Sequence, residues 1–123
     1  MKKTINRDAR IRKYISYWQA FLNLTNWEID CRLVDFKRKD KYNQSGDIQV
    51  DIKKKKATVL LKKEETGKDS SIILHELIHL VLWDMDAFVD KSLPPRKKDE
   101  YLGHLEDAVS RIEKIMLEKD REK

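Results

Sequence analysis

The chain carries a single cysteine, Cys31, which excludes an internal disulfide and suits a reducing compartment such as the cytoplasm. Thiol catalysis is not expected from it either, because Cys31 falls in an alternating stretch and reads as a small buried hydrophobe. Glycines number three and prolines two, the latter adjacent at Pro94-Pro95, so there is no linker or low-complexity segment apart from a charged tail after Glu118, and no internal repeat. No apolar run approaches the ~20 residues of a membrane span. Met1-Lys2-Lys3-Thr4 has no apolar stretch behind it, so neither a membrane partner nor a signal peptide is expected. What is present is charge: 40 % of 123 residues are charged and 40 % hydrophobic, the balance of a soluble globular chain and not a disordered one. That length fits one domain over residues 1–123, large enough to bury a core without staples.

The formal charge of +5 is modest, and its densest basic run is Lys53 to Lys56, with Lys62, Lys63, Arg96, Lys97 and Lys98 elsewhere. A nucleic-acid partner would call for a basic stripe with interleaved aromatics or a reading helix, and neither is visible, so these lysines read as a solvated face. The basic hairpin leaves nucleic acid a disfavoured but open partner, and an electrostatic preference for acidic partners also stays open.

From Asp8 to Asn23, Ile11, Tyr14, Ile15, Trp18, Phe21 and Leu22 recur at three- and four-residue steps, which predicts an amphipathic helix capped by Asn6-Arg7-Asp8. Trp27 to Val34 alternates apolar and polar and predicts a half-buried strand. Lys37 to Gly46 reads as a loop. Ile48, Val50 and Ile52 alternate again, the lysine run turns the chain, and Ala57-Thr58-Val59-Leu60-Leu61 forms a second hairpin strand whose lysine-rich tip resists edge-to-edge aggregation. A helix is predicted from Ser71 to Trp83 or Asp84, with Ser70 or Ser71 as its cap. Met85 to Lys98, holding the proline pair, reads as a connection. A last helix from Lys98 to Lys119 carries the stripe Leu102, Leu105, Val109, Ile112 and Met116. The fold class is α+β: an N-terminal helix, a small three-stranded or larger mixed sheet, then two helices.

The chain has only three histidines, and two of them, His75 and His79, flank Glu76 inside its most apolar helix, Ser70 to Trp83. Residues four apart share a helix face, so both imidazoles converge on one point with Glu76 beside them. This is the H-E-x-x-H arrangement, two zinc ligands and a general base. Buried histidines more often just bond a carbonyl, yet three titratable side chains in an apolar helix cost free energy unless something satisfies them, and a zinc ion would. A third ligand must come from elsewhere. Leu82 and Met85 occupy the positions where the longer metzincin spacing would place glycine and histidine. On the last helix Glu106 lies beside Leu102 and Val109 at the edge of the apolar stripe and is favoured, with Glu113, His104 and Glu100 behind it.

His75-Glu76-Leu77-Ile78-His79 followed by Leu105-Glu106-Asp107-Ala108-Val109 resembles the gluzincin pattern, in which a second helix donates glutamate. The short chain is similar to the minimal gluzincins and the small H-E-x-x-H metallopeptidases of prokaryotic and phage genomes. The resemblance implies a zincin-like fold and zinc-dependent hydrolysis of a peptide or protein substrate. Glu76 would be the general base, and His75, His79 and Glu106 the zinc ligands. It also implies a substrate backbone lying antiparallel along an edge strand, most simply Ala57 to Lys62, where Thr58 and Leu60 would touch it. Tyr101, His104 and Arg96 are candidates for stabilising the oxyanion. In better-known gluzincins an acidic residue follows the ligand glutamate by four, and here that position is Ser110, leaving Asp107, Asp84 and Asp86 as unranked supports for the histidines. The alternatives are a zinc-containing binding or regulatory module, which a fourth protein ligand such as His104 closing the site would mark, and a nucleic-acid-associated protein in which the basic hairpin matters more than the metal.

Overall fold

A computed structural model describes residues 6–36 and 45–121. The segment 37–44 of the expected loop, the first residues and the end of the charged tail lie outside the described residues. Seven elements follow in order: α1 (Arg7–Phe21), β1 (Glu28–Val34), β2 (Gly46–Asp51), β3 (Lys56–Lys62), α2 (Asp69–Val81), α3 (Trp83–Ser92) and α4 (Pro95–Arg121). The class is α+β, four helices and one three-stranded mixed sheet among the described residues.

Asn6 caps α1 by accepting from the Asp8 amide at 2.8 Å. The helix ends where Asn23 adopts φ 61°, with the Asn23 amide donating to Ala20 and the Leu24 amide to Gln19. That is a Schellman motif, with asparagine tolerating the left-handed position. Ile11, Ile15 and Trp18 turn into the core, while Phe21 stays largely outside it.

The sheet order is β1-β3-β2. β2 and β3 form the antiparallel lysine-tipped hairpin, and β1 runs parallel to β3, Cys31 beside Val59. The expectation that Ala57 to Lys62 is an edge strand is therefore corrected: β3 is central and its backbone is engaged on both sides. Its core-facing residues Ala57, Val59 and Leu61 are buried, so Thr58 and Leu60 point to the opposite face of the sheet by strand alternation. Of the two real edges, β2 is the one bordering α2.

α2 is the spine of the fold, lying between the sheet and α1 on one side and α4 on the other. Ile73, Leu74 and Leu77 are fully enclosed, and Leu105 and Val109 of α4 close over them. The serine cap expected at its start is not what holds it. Lys68 occupies the cap position without a side-chain bond, Ser70 Oγ accepts from Trp18 Nε1 at 3.0 Å, and Ser71 Oγ donates to the Lys68 carbonyl. Instead Asp69, buried in the first turn, receives the Arg7 guanidinium through both carboxylate oxygens at 2.8 and 2.9 Å.

The span expected as a connection is also corrected. Trp83 to Ser92 is helix α3, with Asp84 and Asp86 favourably placed in its first turn. It stops at Leu93, held extended by the proline that follows, and Pro95 then opens α4 as its first residue. No residue of α3 is buried, so it leaves no core-facing stripe in the sequence. No helix among the described residues is long and apolar enough to cross a membrane.

Candidate metal centre

The two imidazoles leave α2 toward α4 and meet a single carboxylate. Glu106 Oε1 lies 3.2 Å from His75 Nε2, and Glu106 Oε2 lies 3.0 Å from His79 Nε2. The three side chains form a group whose ligand atoms lie within 4.8 Å of one another. Ligand atoms on a tetrahedral ion with arms of about 2.0–2.1 Å stand roughly 3.3–3.4 Å apart; each imidazole is about that far from one of the two Glu106 oxygens, so the group could close on an ion. Nitrogen and carboxylate donors of this kind also suit zinc chemically. One divalent ion can replace the protons the two Nε2 atoms share with Glu106.

Glu113 holds the other side of His75, its Oε1 2.8 Å from Nδ1. A carboxylate only accepts, so Nδ1 donates, which fixes the ring and leaves Nε2 as the atom offered to a metal. Burial lowers the His75 pKa, but the bond to Glu113 and the surrounding carboxylates outweigh it, and the net direction is upward. His79 goes the other way, lowered by burial that Glu106 only partly offsets. Glu113 therefore meets His75 on the ring nitrogen opposite the one that faces Glu106, from seven residues further along α4. Asp84 and Asp107 are exposed and make no bond to either ring among the described residues. Substituting Glu113 with alanine should weaken metal binding about 10–100-fold, the usual cost of removing such a support, read by competition with a chromogenic chelator.

Glu76 is 8 % exposed, in contrast to the 56 % of Glu106. Burial, above all, pushes its carboxyl up to about 7. It is packed against β2 at Gly46, a residue whose importance the sequence reading missed. A β-carbon there would lie 2.5 Å from Ile72 Cγ2 and 3.3 Å from Glu76 Oε2. Only glycine lets the strand approach α2 this closely. Gly46→Ala should cost about 1–3 kcal/mol by overpacking and displace Glu76. The expected readout is a lowered denaturation midpoint and slower turnover with metal content unchanged.

Around this cluster opens a cleft of about 440 Å³, lined by Ser45, Gly46, Asp47 and Ile48 of the β2 side, Ile72 and Trp83 as apolar walls, and the His and Glu side chains. Its size falls in the range of ligand sites, roughly 300–1,000 Å³. Thr58, Leu60, Tyr101, His104 and Arg96 do not line it. His104 is on an exposed face near Glu100, and neither belongs to the group that could hold a metal. The Tyr101 hydroxyl is enclosed without a hydrogen-bond partner of good geometry, its pKa raised by burial and by nearby Asp86. Half-burial pushes the Cys31 thiol up to about 11, which keeps it protonated and unreactive at neutral pH. Comparison of the chain with protein-family models, curated proteins and solved structures returned no match.

Proposed function

We propose that the protein is a zinc-dependent metallopeptidase with a zincin-like fold, in which His75, His79 and Glu106 hold the ion and Glu76 is the general base. The observation that supports this best is one carboxylate placed against the Nε2 atoms of two histidines, with a buried glutamate beside them in an open cleft. The metal-binding group has three members among the described residues, which favours a centre with a free position over a closed structural one.

A bound zinc supplies Lewis acidity, polarising a carbonyl and acidifying water. Glu76 takes the proton of the attacking water and returns it to the leaving amine, a two-way task suited to a carboxyl held near neutral pKa. Glu113 keeps His75 in one tautomer and orientation throughout. Ile48, Ile72 and Trp83 give the cleft its apolar walls. An extended substrate is read along β2, the sheet edge that borders the cleft, in place of β3.

The test is digestion of an internally quenched peptide library by zinc-loaded protein. Cleavage that a chelator stops and zinc restores supports the proposal. Stoichiometric zinc without cleavage of any peptide would leave a zinc-containing binding module and overturn the enzymatic reading.

A further inference from the structure

The cleft around His75, His79 and Glu106 is acidic on a chain whose formal charge is +5. Asp47, Glu76, Glu106 and Glu113 line it, and no lysine or arginine does among the described residues. Three of these carboxylates already have tasks: Glu106 faces both Nε2 atoms, Glu113 holds His75 Nδ1, and Glu76 is the proposed base. Asp47 has none. It is exposed and forms no ion pair among the described residues.

Its place on β2 gives it one. The Ser45 carbonyl accepts from the Lys62 amide at 3.1 Å, so in the antiparallel pair Ser45, Asp47 and Gln49 turn their backbone groups to β3. Gly46 and Ile48 turn theirs to the outer edge, where an extended substrate would add. At that edge the Ile48 amide donates to Asp47 Oδ1 at 2.9 Å. The carboxylate thus stands where the substrate backbone would lie, one residue beyond Gly46, whose ideal β-carbon would be 3.3 Å from Glu76 Oε2. A substrate carbonyl that takes the Ile48 amide releases the Asp47 carboxylate beside the substrate's own side chains. The cavity they enter, about 440 Å³, has the apolar walls Ile48, Ile72 and Trp83, with the hydroxyls of Ser45 and Ser71 at its rim. Lysine and arginine bring an aliphatic stem for such walls and a cation for the carboxylate. Glu76 points the same way: 8 % exposed, with no hydrogen bond or ion pair to any described residue, it faces the cavity as an unmet acceptor for a ligand rich in donors.

We infer that the cleft takes a cationic peptide, and that Asp47 selects a lysine or arginine beside the cleaved bond. The inference rests on the peptidase reading and adds its substrate class. Asp47 determines specificity by attracting a basic side chain and repelling an acidic one, and takes no part in the chemistry at the reacting bond.

The experiment uses the zinc-loaded full chain and three internally quenched peptides that differ only in carrying Lys, Gln or Glu on both sides of a central Ala-Leu. The kcat/KM should be about tenfold higher for the Lys peptide than for the Gln peptide, which corresponds to ~1.4 kcal/mol, and lowest for the Glu peptide. The advantage should shrink with added salt. Asp47→Asn keeps an oxygen for the Ile48 amide and removes the charge, so the Lys-to-Gln ratio should fall close to one, and Asp47→Lys should turn the preference toward the Glu peptide. Binding of unquenched forms of the same peptides to Glu76→Gln protein, read by fluorescence anisotropy, should follow the same order without turnover. Cleavage with no charge preference, or a preference that survives Asp47→Asn, would overturn the inference and leave the peptidase reading standing. Binding of the Lys peptide through Asp47 with no peptide cleaved by the wild type would remove the peptidase reading and leave the recognition standing. Neither cleavage nor binding would overturn both.

Discussion

Replacing Glu76 with glutamine is expected to slow peptide hydrolysis by about 10²–10⁴-fold, the contribution of a positioned general base, while zinc remains bound. The amide is isosteric and cannot accept the proton, and the proposed ligands His75, His79 and Glu106 are untouched. The same variant should have a second, opposite effect on stability. In the folded chain burial holds the Glu76 carboxyl at about 7, above its ordinary value of 4.5. The folded state therefore binds more protons than the unfolded state between those values, so the stabilising contribution is complete below about 4.5 and is lost as pH rises through about 7. Metal-free wild type should lose up to about 3 kcal/mol of stability across that window. Glu76→Gln should lack this dependence and be the more stable protein at pH 8. Denaturant titrations of the metal-free proteins at pH 5 and pH 8, beside turnover of the zinc-loaded ones, check both. Retained turnover would remove Glu76 from the base role, and equal pH dependence would remove it as the buried ionisable group responsible.

The largest stability loss from one exchange is expected at Arg7. Its guanidinium spans Asp69 and the carbonyls of Lys62 at 3.0 Å and Lys63 at 2.6 Å, joining the start of α1, the end of β3 and the start of α2. Asp69 is 6 % exposed. Arg7→Ala leaves that carboxylate buried without its partner, a change that costs about 3–5 kcal/mol, readable as a shift in the urea midpoint with an unchanged slope. Because Asp69 opens the helix bearing His75 and His79, metal affinity should fall as well. Replacing both partners by apolar residues, Arg7→Met with Asp69→Leu, should recover most of the loss, since a buried pair exchanged whole is often near neutral. A loss below about 1 kcal/mol for Arg7→Ala would show that water reaches Asp69 and that the pair is not the clamp described.

How much of this could be read from the sequence depends on whether the deciding contact was local. His75, Glu76 and His79 sit on one helix, where 3.6 residues per turn fixes their relation before any tertiary structure exists. The approach of Glu106 to the two rings was legible one step further, because Leu105 and Val109 of its apolar stripe face α2, although Leu102 and Ile112 of the same stripe stay exposed. The contact of Glu113 with His75 Nδ1 was not legible, since it depends on how far α4 runs alongside α2. β3 was placed at an edge because nothing local announces its parallel pairing with β1, a contact between segments far apart in the chain. Gly46 had a signal, an isolated glycine two residues before the alternation of Ile48 and Val50, the mark of a close backbone approach. α3 had none: beyond Trp83, which packs against the core from its first position, it buries no side chain fully and carries no periodicity toward a core, and the proline pair after it dominated the reading.

The account rests on the convergence of His75, His79 and Glu106 on one ion. The most direct measurement is zinc per chain by elemental mass spectrometry on tag-free protein after zinc loading and desalting, with His79→Ala and Glu106→Ala measured alongside. The expected result is about one zinc per wild-type chain and a marked loss in both variants. Zinc near zero in the wild type after loading, or undiminished in both variants, would contradict it, leaving His75 and His79 as packing residues hydrogen-bonded to α4.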